Sequence, residues 1–91
     1  MVEFGTAIEL NGEQIVSAQV GDMSLMVPVG DIEDLATGVI GTRIDDAIVR
    51  SPTRDGCFSI SLHPVGLTRI VVTQKELDAV IKRCREIVAA A

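Results

Sequence analysis

Apolar and polar positions alternate cleanly at the start of the chain. Val2, Phe4, Thr6, Ile8 and Leu10 interleave with Glu3, Gly5, Ala7 and Glu9, the period of two that predicts a strand with one buried face. Asn11-Gly12 follows, a pair suited to positive φ in a tight hairpin turn, and the segment 14–20 returns to an extended pattern rich in Val and Ile. Gly21-Asp22 is a second turn signal, after which Met23, Leu25, Val27 and Val29 line one side of a third strand. Pro28 cannot donate to a ladder, so it marks an edge position or the end of that strand.

The pattern then changes. Asp31 is placed as an N-cap, and the Ile32/Leu35 spacing suits one helical turn before Gly38 and Gly41 interrupt it. A short strand over 46–50 is closed by Ser51-Pro-Thr-Arg-Asp-Gly56, which is turn chemistry. A second alternation places Phe58, Ile60 and Leu62 inward, with Cys57, Ser59, Ser61 and His63 outward. After Pro64-Val-Gly66, residues 67–72 read as the hairpin partner, and the run Ile70-Val71-Val72 predicts burial on both faces. Thr73-Gln-Lys-Glu76 has the form of a capping box. The helix it opens carries Leu77, Val80, Ile81, Cys84, Ile87, Val88 and Ala91 in one apolar stripe, with Lys82, Arg83, Arg85 and Glu86 off it. These elements predict an α+β fold: one antiparallel β-meander or roll of about five to seven strands, capped by one C-terminal amphipathic helix.

Composition narrows the function. The 91 residues are 47% apolar and 23% charged, which is globular composition with room for a single domain over 1–91. Phe4 and Phe58 are the only aromatics, so the core is built from small aliphatic side chains, and a second copy in a homodimer, or another partner, would add stability. Net charge is −5, divided unevenly: residues 1–46 hold nine acids and one base, Arg43, whereas residues 47–91 hold four acids and seven bases. The acidic total argues against sequence-independent nucleic-acid binding. The N-terminal segment lacks a secretory signal, and no apolar run reaches the length of a membrane span, so a cytoplasmic location with free thiols at Cys57 and Cys84 and no membrane insertion is expected.

Candidate chemistry is sparse. A single histidine, His63, excludes any two-histidine zinc motif. Cys57 and His63 lie about 20 Å apart along one strand, too far for a nucleophile pair, and Cys84 falls on the core stripe. Asp31, Glu33, Asp34, Asp45 and Asp46 lack the ordered spacing of a calcium loop. Gly38-Val-Ile-Gly41 has the outline of a backbone-clamping GxxG loop, but Arg43 is the only base near it. No cofactor and no catalytic residue is expected. Lys82, Arg83 and Arg85 on the helix, and Asp31, Glu33 and Asp34 in the acidic segment, are the candidate partner surface.

The order of strands followed by a capped helix resembles the pleckstrin-homology-like (PH/GRAM-like) superfamily. The resemblance is carried by Val27-Pro-Val-Gly-Asp-Ile-Glu-Asp-Leu35, similar to a strand-then-"I-P-x-x-D-I" step, and by the closing helix over 73–88. The stretch 23–29 is also similar to strands of CheW-like adaptors. Lipid-binding members carry basic residues in the loops where this chain has Glu9, Glu13 and Asp22, so the resemblance implies an adaptor role in protein–protein contact. The leading expectation is a non-catalytic protein-interaction module. The alternative is a small-ligand or metal-ion binding domain using the acidic loop 30–46.

Overall fold

The computed structural model describes residues 2–62 and 69–90. Three strands, β1 (Val2–Leu10), β2 (Glu13–Val20) and β3 (Met23–Pro28), lead into helix α1 (Val29–Ala36). Three more, β4 (Ile48–Arg50), β5 (Cys57–Ser61) and β6 (Arg69–Thr73), lead into helix α2 (Gln74–Ala90). The fold is α+β, as expected. The strands do not run as one meander, however: they form two separate three-stranded antiparallel sheets, ordered β1-β2-β3 and β4-β5-β6.

The turn chemistry of the first sheet acts as read. Asn11 and Gly12 take φ of 52° and 83°, the left-handed pair that matches a two-residue hairpin to strand twist. Gly21, at φ 57°, closes the second hairpin. Pro28 is the last residue of β3, an edge strand, where its missing N–H leaves no ladder bond unmade.

One feature of β1 departs from the sequence reading. Phe4 pairs with Ala18, but Ala7 pairs with Val16, so one extra residue is accommodated between them as a β-bulge. The bulge shifts the phase of the alternation. Val2 and Phe4 face the core, whereas Ile8 and Leu10, expected on the same side, lie on the opposite face and are about half exposed. Gly5 lets the strands approach closely there: a Cβ at that position would lie 2.5 Å from Ser17 Oγ, so the Ser17 hydroxyl would have to turn away.

Helix α1 begins earlier than expected. Pro28 occupies the N-cap position without a side-chain cap, and Asp31 lies in the first turn rather than at the cap. Ile32 and Leu35 are fully buried, as their spacing requires. Gly38, at φ 69°, donates its N–H to Leu35 O at 3.1 Å and ends the helix.

The second sheet also revises the pattern. Ser59 and Ser61 are buried, not outward. Arg69 pairs with Ser61 and extends over the same face of β5, with Nη1 3.5 Å from Ser59 Oγ. Val71 on β6 is exposed, so that strand is buried on one face only. His63 and the turn expected at 64–66, with Leu67 and Ala91, lie outside the described residues.

Helix α2 opens with the expected capping box: Glu76 N donates to Thr73 Oγ1 at 3.2 Å, and Thr73 N donates to Glu76 Oε1 at 3.0 Å. Its stripe of Leu77, Val80, Cys84 and Ile87 is buried, and Ile81 and Val88 are partly so. α2 packs against α1, β1, β5 and β6, while α1 packs against β2 and β3. A single hydrophobic cluster therefore joins both sheets through the helices.

Candidate functional site

The phase shift in β1 gives the first sheet an apolar outer face. Residues directly opposite each other in an antiparallel pair share a face, and the register places Ile8, Ile15 and Pro28 in one outer row, Leu10 with Glu13 in the next, and Met26 opposite Ser17 on the other side. Ile8 is 51% exposed, Leu10 48% and Met26 46%. Glu3, Gln19 and Ser24 complete the face. The inner face is Phe4, Ala18 and Leu25, then Ala7, Val16 and Val27, packed into the core beneath the helices. An antiparallel sheet with one solvated side is ordinarily apolar inside and polar outside. Here Ile8, Leu10, Ile15, Met26 and Pro28 put apolar side chains on the outer face as well, among Glu3, Glu13, Ser17, Gln19 and Ser24.

Charge around the face has one sign. No Lys or Arg occurs before Arg43, so the only charged side chains on the first sheet and its turns are Glu3, Glu9, Glu13 and Asp22, all exposed. Edge strands in isolated proteins are commonly protected by lysines. β1 and β3 have none.

The basic residues proposed from the sequence are placed differently from one another. Arg83 reaches back to β1: its Nε donates to Phe4 O at 3.3 Å and its Nη2 to Gly5 O at 3.4 Å, at the bulge. Arg85 reaches α1, donating from Nε to Ala36 O at 2.8 Å and from Nη2 to Thr37 O at 3.5 Å. α1 has no basic residue in its own last turn, and Arg85 supplies the cation its C-terminal carbonyls favour. Lys82 is exposed and, with Arg85, Gly38, Ile81 and Asp78, borders an open cleft of about 620 Å³ between α2 and the end of α1.

Of the acidic residues, Asp31, Asp34 and Asp45 come together and Glu33 stands apart. Asp31 and Asp34 border a small cavity of about 40 Å³ with Asp45, Ala47 and Ser61, whereas Glu33 is exposed elsewhere on α1. Asp45 pairs with Arg43 at 3.5 Å. Asp46 accepts the Arg43 N–H at 2.9 Å and fills the space a side chain on Gly41 would need. Arg69 clamps the same loop through the carbonyls of Ile44 and Asp46. Gly38 and Gly41 are thus a helix terminus and a packing contact within the fold. The loop leaves Val39, Ile40 and Ile44 exposed. Among the described residues, no group of three or more His, Cys, Asp or Glu is placed to hold a metal ion.

Cys84 is fully buried, and burial pushes its thiol up to about 12, so it is a packing residue and not a thiolate nucleophile at neutral pH. Cys57 is half-buried, and both thiols are free. No described helix is long and apolar enough to cross a membrane.

Sequence reasoning missed Ile8, Leu10, Ile15 and Met26 as a surface. The signal was present in Gly5, since a lone glycine inside an alternating strand marks a bulge or a close backbone approach. Adjacent apolar residues at Ile15-Val16 and Leu25-Met26-Val27 likewise occupy both faces of their strands. No family model, curated protein or solved structure matches the chain.

Proposed function

We propose that the chain is a non-catalytic protein-interaction module that docks a protein partner on the outer face of its first sheet. The observation that carries this reading is the half-exposed cluster of Ile8, Leu10 and Met26 around Ile15. Leaving that surface in water forfeits about 25 cal/mol per Å² of apolar area, and contiguous apolar patches on otherwise polar surfaces mark interaction sites. The adaptor role is also the one implied by the PH-like resemblance.

Native capture from lysate, comparing wild type with Ile8→Lys and Met26→Lys, tests the reading. Val71→Lys, an exposed position on β6, is the control. Proteins retained by wild type and Val71→Lys but lost from both face variants support docking at this sheet. An unchanged set of proteins on the face variants refutes it. Melting temperatures measured with Ca²⁺, Mg²⁺ and Zn²⁺ separate this function from ion binding by the 30–46 loop, because an ion that binds only the folded state raises the melting point.

A further inference from the structure

Resting on the docking face proposed above, we infer that its occupant is an amphipathic helix whose apolar stripe is flanked by Lys and Arg. Charge complementarity carries the inference. Glu3 and Glu13 lie on the face, Asp22 lies in the turn at one end of it, and no Lys, Arg or His occurs in residues 1–42. A partner bringing Lys and Arg to that face pairs with Glu3 and Glu13, whereas a second copy docked face to face brings acids against acids.

The chain also shows how such a helix meets this sheet. On the inner side, α2 buries a stripe of Leu77, Val80, Cys84 and Ile87 in the core it shares with α1, β1, β5 and β6, and its flanking Arg83 bonds to the Phe4 and Gly5 carbonyls of β1. The outer side offers Ile8, Leu10, Ile15 and Met26 to an apolar stripe, and the carboxylates of Glu3 and Glu13 to its flanking cations. A helix on each face of one sheet is a standard layer arrangement.

The probes are three synthetic helical peptides with one Leu/Ile stripe at i, i+3, i+4 spacing, flanked by Lys, by Gln or by Glu. Each is titrated into the full chain by NMR and by fluorescence anisotropy. The Lys peptide is expected to shift the amides of Ile8, Leu10, Ile15 and Met26 and to bind about tenfold more tightly than the Gln peptide at low salt, with the gap closing as salt rises. The Glu peptide is expected to bind most weakly. Glu3→Gln combined with Glu13→Gln should bring the Lys peptide down to the Gln peptide, and Met26→Lys should remove both. All three substituted positions are exposed, so an unchanged melting temperature verifies folding.

Equal binding of the Lys and Gln peptides, lost in Met26→Lys, overturns the cationic occupant while leaving the docking face intact. A concentration-dependent dimer by light scattering, abolished by Met26→Lys, overturns it in favour of a second copy. Shifts confined to α1 or the 38–46 loop, or equal binding of the Lys peptide to wild type and Met26→Lys, overturn it as charge attraction away from the sheet. The docking reading itself falls only if the captured proteins are also indifferent to Ile8→Lys and Met26→Lys.

Discussion

Arg83 Nε lies 3.3 Å from the carbonyl oxygen of Phe4, joining α2 to the strand at the point where the bulge begins. The same guanidinium reaches Gly5 O and lies 3.8 Å from Glu86. β1 is an edge strand with a bulge at this point, and Arg83 donates to two of its carbonyls. Arg83→Met keeps the apolar stem and removes the donors. We expect a loss of about 1 kcal/mol, read as a lower urea midpoint at unchanged slope. Lys82→Met, on an exposed neighbour without such contacts in the fold, should stay within about 0.5 kcal/mol of wild type. Equal midpoints for the two variants would show that the clamp contributes nothing.

Burial of Cys84 predicts both slow chemistry and a pH limit. With a disulfide-exchange reagent at pH 8, one thiol, Cys57, should react in the native state, and the second only as the protein unfolds. Two rapid thiols would contradict the buried placement. The folded-state pKa, at about 12, lies above that of an unfolded thiol. The protonated form is therefore favoured by folding, and its contribution to stability is complete below about pH 8.5 and is lost as pH rises towards 12. Cys84→Ala should flatten that part of the stability–pH curve relative to wild type.

The capping box sets the corresponding acid limit. The N–H of Thr73, and then its side chain, hold the Glu76 carboxyl below its usual pKa. A depressed folded pKa gives stability that is present above the unfolded value and lost as pH falls through the folded one. Glu76→Gln should remove this dependence, observed as loss of the low-pH titration of the Thr73 amide shift. Thr73→Ala should cost about 1 kcal/mol by removing the hydroxyl acceptor for the Glu76 N–H.

Much of this architecture is legible in the sequence because the deciding interactions are local. Asn11-Gly12 sets its hairpin through backbone preference alone, and Thr73 and Glu76 meet across one helical turn whatever the rest of the chain does. The stripe from Leu77 to Ile87 is likewise a matter of spacing. What was hidden depends on residues distant in sequence. Ser59 is buried because Arg69, ten positions on, lies across it. The separation into two sheets is not encoded in any single alternation, since each strand reads the same whether its neighbours continue the sheet or end it. Arg83 and Arg85 look like a solvated helix face until their carbonyl partners, 79 and 49 positions away, are in place. The apolar outer surface was missed for a subtler reason: Ile8 and Leu10 keep perfect alternation in sequence, and only the pairing with β2 reveals that the count has slipped by one.

The helix that covers β1 is made long after the strand itself, with 79 positions separating Phe4 from Arg83. The first three strands need only two tight hairpins to assemble, so they can form early during synthesis. Until the later helix emerges, the nascent ribbon has oily surfaces towards both sides, and one of them stays bare even when synthesis has passed Ile87. The interval between ribbon and helix is when the growing polypeptide is most prone to clump, and its length is set by the order in which the ribosome delivers the segments.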